Sequence, residues 1–194
     1  DHNGSRGLGD VYKRQSLDAF KGSLTPFDER VHRVRPHPGQ QIVAKRIREV
    51  MDGSKILQSH LECDKVQDPY SFRCAPQVHG AVYEALLSMQ KTVEIEVNST
   101  TDNPLVFPGE NGQAPKIISQ GNFHGEILAL SADRMSLSIF ELASISERRM
   151  DQLLDPSKSN LPPFLAKNSG LESGYMIVQY LSLIHISEPT RPVM

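Results

Sequence analysis

The stretch NFHGEILALSADRMSLSIFELASISERRMDQLL, which runs from Asn122 to Leu154, decides the fold. At 1.5 Å per residue, a helix over this stretch would be roughly 45 Å long, which exceeds the width of a small globular domain. Its apolar side chains fall on more than one helical face, and this indicates burial among other helices. These residues are Ile127, Leu128, Leu130, Met135, Leu137, Ile139, Leu142 and Ile145. The stretch predicts a mainly α-helical bundle, completed by helices from elsewhere in the chain or from other subunits.

Two more helices are predicted on the N-terminal side of this stretch. Pro38 at a first helical position and Gly53 at a stop predict a helix over about residues 39–52. Its predicted apolar face consists of Ile42, Val43, Ile47, Val50 and Met51. A second helix is predicted from about Pro76 to Val93, because apolar residues recur there at spacings of three and four. Core packing is the simplest interpretation of both faces.

The remaining chain contains turns and prolines. Turn residues and a proline end the second helix and predict a short strand at Leu105–Phe107, within an excursion over about residues 98–118. Pro108–Lys116 is predicted to be a loop. After Leu154, prolines interrupt the helical pattern before a last helical stretch from about Gly170.

Both ends of the chain depart from the helical pattern. Residues 1–15 are glycine-rich and basic, residues 181–194 interrupt an apolar pattern, and parts of both resemble translated sequencing-adaptor read-through. We predict non-native tails at 1–15 and 181–194, which leaves residues 16–180 as the central part of the helical domain. An expression tail or a genuine short linker is the alternative.

Composition narrows the classes of partner. The chain has 194 residues and a formal net charge of −2, so it lacks the basic field that nucleic-acid binding requires. No apolar run reaches the length of a membrane span, and the first residues do not form a signal peptide. Cys63 and Cys74 lack disulfide density and metal-type spacing, which predicts free thiols in a reducing compartment. We expect a cytoplasmic protein without a nucleic-acid or membrane partner.

The most informative short stretch is VQDPYSFRC, from Val66 to Cys74. Asp68 followed by Pro69 predicts a helix N-cap and a first helical residue. Pro76 limits the predicted helix to about one turn. This segment is therefore expected to be a short helix with a polar side.

Three polar residues in that stretch form a candidate binding site. Gln67, Tyr70 and Arg73 recur every third residue, so a helical or 3₁₀ turn would place an amide, a phenol and a guanidinium on one side. Arg73 can hold a carboxylate with two parallel hydrogen bonds, and Tyr70 can exchange a proton with a reacting group. Gln67 can orient either. By spacing alone, a surface or inter-helix hydrogen-bond cluster is the commoner explanation.

Several motifs in a fixed order resemble those of histidine ammonia-lyases, in the aromatic amino acid ammonia-lyase family. They cover about residues 17–180, and several long motifs in order are far more specific than any one alone. The motifs are LTPFDER (24–30), HPGQ (37–40), QDPYSFR (67–73), APQVHG (75–80), TDNPLVF (101–107), GNFHG (121–125), SERR (146–149), LPPFL (161–165) and SGYMIVQ (173–179). The resemblance implies a long-helix bundle of the ammonia-lyase and fumarase type, and a homotetramer.

The same resemblance implies a reaction and its residues. These enzymes eliminate ammonia from L-histidine to give trans-urocanate, with a methylidene-imidazolone group formed from an internal Ala-Ser-Gly. The resemblance places that tripeptide and a proton-abstracting tyrosine before Leu17, and a catalytic glutamate after Tyr180. Within this chain it implies Tyr70 as a catalytic residue, Arg73 as the carboxylate clamp, Gln67 beside the electrophile and Phe123 as a wall against the imidazole. Because the sequence contains no Ala-Ser-Gly, the 194 residues alone are expected to be inactive.

Other chemistry-bearing residues are given structural interpretations. No histidine forms a pair at helical ligand spacing with a carboxylate nearby, so no metal site is predicted. The histidines considered are His32, His37, His60, His79 and His124. Asp102-Asn103-Pro104 is interpreted as a turn that could brace the site, and Ser146–Arg149 as a helix surface or subunit contact. Phe123 has core packing as its alternative.

Three alternatives to a histidine ammonia-lyase segment stay open at this point. A tyrosine or phenylalanine ammonia-lyase and an aminomutase would share the fold and the electrophile. The isolated chain could also be a non-catalytic helical interaction module. Gln67-Asp-Pro-Tyr-Ser71 and Phe123-His124 favour histidine as the substrate.

Overall fold

Helices dominate the chain in the computed structural model, which describes residues 14–60 and 66–182. In chain order the elements are α1 (residues 14–20), α2 (Glu29–Arg33), α3 (Pro38–Met51), α4 (Lys55–Gln58), α5 (Tyr70–Arg73), α6 (Ala75–Glu96), β1 (Leu105–Phe107), β2 (Lys116–Ile118), α7 (Glu126–Leu154), α8 (Pro156–Ser159) and α9 (Met176–Ser182). The predicted mainly α-helical class is confirmed. Over the described part of the chain, no helix combines the length and apolarity that crossing a membrane requires.

Helix α3 begins and ends where its local signals predict. Pro38 is at the first helical position, and Gly53 adopts a left-handed φ of 71° just after the helix. The buried face contains Val43 and Ile47, whereas Ile42, predicted to share it, is 48% exposed. Ile42 precedes Val43 by one residue and therefore lies about 100° around the helix from it.

The two long helices are confirmed with shifted ends. Helix α6 starts at Ala75, one residue before the predicted Pro76. Helix α7 starts at Glu126 rather than Asn122, because the chain before it turns and the His124 amide donates to the Gly121 carbonyl at 3.0 Å. At 1.5 Å per residue, its 29 residues give a helix about 44 Å long.

A two-stranded hairpin lies between the long helices in sequence. Strand β1 is confirmed as predicted, and it pairs antiparallel with β2 so that Leu105 faces Ile118. The predicted loop to Lys116 is one residue too long, because β2 begins there. A three-residue strand with two apolar residues carries too little alternation to be predicted from the sequence.

The last helix begins later than predicted. Helix α9 covers Met176–Ser182 rather than starting near Gly170. Gly170 and Gly174 adopt left-handed φ values of 91° and 50°, so the chain before α9 forms turns. The tails predicted at residues 1–15 and 181–194 fall mostly outside the described residues, and Cys63 does so entirely. Their assignment stays a prediction.

The chain divides into two compact units, with boundaries inside α6 and α7. The core unit comprises the described residues up to Glu84 and from Ser138 onward, and the hairpin unit comprises Ala85–Leu137. The core unit has a buried apolar cluster of Leu17, Phe20, Phe27, Val43, Ile47, Met51, Phe72 and Ala75. Within it, the rings of Phe20 and Phe72 stack with centroids 4.5 Å apart. This cluster connects α1, α3, α5 and α6.

Two glycines bring α3 and α6 into backbone contact within the core unit. A Cβ atom added to Gly80 would lie 2.6 Å from the Cα atom of Gln40, and one added to Gly39 would strike the Gly80 carbonyl. The Gly39 amide also donates to a carboxylate oxygen of Glu84 at 2.8 Å. These contacts fix the first turns of α6, which directly follow the candidate site in the sequence.

Candidate functional site

The candidate site centres on α5, a single helical turn of four residues. Pro69 is the N-cap of this turn, so the predicted N-cap at Asp68 is wrong by one residue. Asp68 is buried, and its carboxylate accepts a hydrogen bond from the Ser23 amide at 2.6 Å. Its oxygen is therefore used to connect distant chain segments rather than to cap the helix.

Tyr70 and Arg73 occupy the first and last positions of α5. Tyr70 is 64% exposed. Arg73 is partly buried, and within residues 14–60 and 66–182 its Nε has no hydrogen-bond partner. A buried donor without an acceptor costs free energy comparable to a lost hydrogen bond. The turn therefore combines an exposed tyrosine with a buried guanidinium nitrogen that has no acceptor in the described part of the chain.

Two neighbouring side chains are also unsatisfied. Across the described residues, the Ser71 hydroxyl and the Gln77 side-chain carbonyl are buried without a hydrogen-bond partner. Native proteins leave few such groups unpaired. Arg73, Ser71 and Gln77 thus place three buried polar atoms without a protein partner, among the described residues, near the junction of α5 and α6.

Gln67 lies outside the helical turn, so the predicted alignment of all three polar residues on one helix is wrong. It is exposed and lies in the irregular chain before α5. It lines a cavity of about 470 Å³ together with Asp68, Lys21 and Ser23. A one-turn helix that starts at Tyr70 cannot include a residue three positions earlier, because Pro69 holds an extended φ and ψ of −57° and 153°.

Arg149 connects α7 to the candidate turn and was not predicted to do so. Its Nε donates to the Ser71 carbonyl at 3.3 Å, and Nη2 lies 3.3 Å from Nε2 of His79. Its guanidinium carbon lies 5.9 Å from the centre of the Phe72 ring. Burial lowers the pKa of the Arg149 guanidinium.

The interpretation of Ser146–Arg149 as a helix surface is therefore wrong for two of its residues. Glu147 is 2% exposed and pairs with Arg148, and Arg149 is partly buried against α5. The physical reason is that α7 faces the rest of the core unit along this segment. The helical pattern of the sequence does not reveal that one residue of this charged run, Glu147, is buried.

Phe123 lies in the hairpin unit, in the turn that precedes α7. Phe123 is 62% exposed, so it does not pack into a core formed by the described residues, and its contact with the imidazole stays a prediction. Gln120 holds the chain before it, since its side-chain amide donates to the Asp102 carbonyl at 2.6 Å and its backbone amide donates to the Asn103 side chain at 2.8 Å. The Asp102 carbonyl and the Asn103 side chain thus hold Gln120, a contact that the sequence analysis missed. The bracing of the substrate site by Asp102-Asn103-Pro104 stays a prediction.

His32 has a purely structural environment. It is 1% exposed, with Nε2 3.1 Å from the Pro26 carbonyl and Nδ1 3.0 Å from the Gln40 side-chain amide. A neutral ring with its proton on Nε2 satisfies both contacts. Burial lowers the pKa of His32 and keeps the ring uncharged.

A sequence model of the aromatic amino acid lyase family matches residues 8–190. The match covers more than half of the chain, and a turn presenting a phenol and a guanidinium agrees with the motifs of these enzymes. The chain therefore belongs to the aromatic amino acid lyase family.

Individual members of the family differ in how similar they are to this chain. The chain is 49% identical to the histidine ammonia-lyase of Myxococcus xanthus over 181 residues, which cover 93% of the chain and 35% of the relative. The crystal structure of histidine ammonia-lyase from Trypanosoma cruzi is 41% identical, with a TM-score of 0.79 over 93% of the chain and 32% of that structure. The phenylalanine aminomutase of Pantoea agglomerans is 30% identical, with a TM-score of 0.82 over 94% of the chain and 38% of that structure. The chain thus spans about a third of the length of the curated relatives it matches.

Proposed function

We propose that this chain is the central part of a histidine ammonia-lyase, and that the complete protein converts L-histidine to trans-urocanate and ammonia. In this reaction a proton leaves Cβ, the bond from Cα to nitrogen breaks and a carbon–carbon double bond forms. The observation that carries the proposal is the 49% identity to a histidine ammonia-lyase over 93% of the chain. The motifs at α5 and before α7 support it.

Four residues of this chain are proposed to contact the substrate. Arg73 binds the carboxylate, because its Nε is buried without an acceptor among the described residues and a carboxylate supplies one. Tyr70, which is 64% exposed, exchanges a proton beside the reacting carbons. Gln67 orients Tyr70 or Arg73. Phe123, with its ring exposed, packs against the imidazole and excludes water.

The resemblance also implies a methylidene-imidazolone group in the complete protein. That electrophile activates a substrate whose Cβ proton is barely acidic and whose amine is a poor leaving group. The exposed Tyr70 and the Arg73 Nε, which has no acceptor among residues 14–60 and 66–182, fit a site that holds an amino acid beside such a group. No Ala-Ser-Gly occurs in these 194 residues, so we expect the chain by itself to form no urocanate.

Assembly and location follow from the same family membership. We propose a homotetramer in the cytoplasm for the complete protein. Apolar side chains at 59–64% exposure in the hairpin unit, such as Ile127, Leu130 and Leu137, support the burial of this surface in an assembly. Neither nucleic acid nor membrane is proposed as a partner.

The alternative functions differ in substrate or in kind. A tyrosine or phenylalanine ammonia-lyase or an aminomutase would use the same turn. The 30% identity to a phenylalanine aminomutase, against 41% and 49% to two histidine ammonia-lyases, favours histidine. A non-catalytic helical module is the alternative for the isolated chain.

The deciding experiment uses the complete protein with L-histidine, L-tyrosine and L-phenylalanine in parallel. We expect urocanate, followed by its ultraviolet absorbance, from histidine alone. Arg73→Met should reduce kcat/KM by roughly 10- to 100-fold, the equivalent of a charge-assisted hydrogen bond. The exposed Arg33 in α2 provides a matched control, and Arg33→Met should leave kcat/KM unchanged. A wild-type protein that acts faster on tyrosine or phenylalanine would overturn the substrate assignment.

A further inference from the structure

A four-residue helix cannot hold its own geometry. Helix nucleation is unfavourable, and one turn of helix gains few internal hydrogen bonds to offset the ordering of its backbone. In α5 only the amides of Phe72, Arg73 and Cys74 bond within the turn or to its N-cap, at 3.0–3.1 Å. The orientation of Tyr70 and Arg73 must therefore be set by contacts from outside α5.

Arg149 supplies such contacts from α7. It donates to the carbonyl of Ser71, which lies between Tyr70 and Arg73 in the sequence, and it lies over the ring of Phe72. The same guanidinium reaches His79 in the first turns of α6. One side chain thus bonds to both helices that meet at the candidate site, from 78 residues away in the case of Ser71.

The partners of Arg149 are suited to orientation rather than to charge neutralisation. They are a carbonyl, an aromatic ring and an imidazole nitrogen, and no carboxylate within the described part of the chain forms an ion pair with this guanidinium. Because the guanidinium donors point in fixed directions, they select one geometry of the turn. A lysine has the charge but cannot reach both acceptors with one ammonium.

We propose that Arg149 is a positioning residue for the lyase reaction, which holds the α5 turn through Ser71 and Phe72 so that Tyr70 and Arg73 face the substrate. This inference rests on the proposed function. Arg149 itself does not touch the substrate, so its loss should act on the ligand group that Arg73 binds, the carboxylate, and on the rate of the reaction.

The test compares Arg149→Met, Arg149→Lys and the control Arg33→Met in the complete protein. The readouts are kcat, KM for L-histidine and the inhibition constants of two probes, trans-urocanate, which has a carboxylate, and imidazole, which has none. We expect Arg149→Met to lower kcat/KM by roughly 100-fold, the scale of a 1 Å displacement of catalytic groups. We also expect about ten-fold weaker inhibition by urocanate with unchanged inhibition by imidazole. Arg149→Lys should recover part of the loss in kcat/KM and part of the loss in urocanate inhibition.

A merely structural role predicts a different result. It would reduce the amount of folded enzyme and therefore kcat, while KM and both inhibition constants of the folded fraction stayed at their wild-type values. That result would overturn the inference. If Arg149→Met fails to fold, the test rests on Arg149→Lys. A folded lysine variant that urocanate inhibits as strongly as the wild-type protein would overturn the positioning role of Arg149. Failure of the wild-type protein to make urocanate would instead reject the proposed function.

Discussion

The core unit and the hairpin unit differ in how far their aromatic and aliphatic side chains are buried. In the core unit Phe20 and Phe72 are 2% and 3% exposed and stack on each other. In the hairpin unit, all of whose residues the structure describes, Ala85 alone is buried. Leu137 and Ile117 there are 64% and 71% exposed. The core unit therefore derives stability from its own packing, whereas the hairpin unit presents apolar surface to something else.

The largest effect should come from a matched pair of phenylalanines. Phe72→Ala removes a buried ring from the core cluster and should lower the free energy of unfolding by about 3–5 kcal/mol. Phe123→Ala, at an exposed ring, should change it by no more than about 0.5 kcal/mol. Urea unfolding followed by circular dichroism would measure both. Equal losses from the two variants would remove the distinction between the units.

Two glycines give the second comparison. Gly80→Ala places a Cβ atom against the backbone of Gln40 and should cost about 1–3 kcal/mol of unfolding free energy. Gly121→Ala, in the hairpin unit, meets no heavy atom within 4 Å and should have an effect within about 0.5 kcal/mol. Thermal melts of both variants test this. A tolerated alanine at position 80 would contradict the backbone contact of α3 with α6.

Acidity should weaken the core unit through His32. Its pKa is lowered by burial, so the unfolded chain, with an ordinary histidine pKa of about 6.5, binds the proton more readily than the folded one. The contribution of neutral His32 is complete above pH 6.5 and decreases as the pH falls toward the lowered pKa. Wild-type unfolding free energy should therefore decline faster than that of His32→Gln between pH 7 and 5. If the unfolding free energies of the two proteins declined in parallel, His32 would not be a source of the acid sensitivity.

The smallest effect is expected on the exposed apolar surface. In the isolated 194-residue chain, Leu137→Gln should change the unfolding free energy by less than about 0.5 kcal/mol, because Leu137 is 64% exposed there. In the complete protein, the proposed assembly predicts that the same substitution weakens association, which sedimentation would measure. An unchanged sedimentation coefficient would contradict the burial of Leu137 between copies.

Local signals account for what the sequence predicts well. Helix α3 starts and stops as predicted because proline and glycine restrict the backbone at its two ends. The long helices are predicted because their apolar periodicity persists over many turns. Strand β2 and the start of α9 are missed, since a three-residue strand and a run of turns contain no periodicity.

The candidate site is predictable only in part, for a related reason. Tyr70 and Arg73 lie three residues apart on one turn, which spacing can anticipate. Gln67 shares the spacing but not the helix, because Pro69 is extended. Arg149 acts on Ser71 across 78 residues of sequence, and no local pattern encodes such a contact. Gln120 reaches Asp102 in the same non-local way.

The brevity of α5 has a consequence for its hydrogen exchange. A single turn held from outside has no separate opening equilibrium of its own, so the protection of its amides depends on the surrounding structure. The amides of Phe72, Arg73 and Cys74 should exchange with deuterium as slowly as the core around Phe20, although they lie in or directly after a helix of only four residues. The order of the proposed binding site is in this sense a property of the whole core unit.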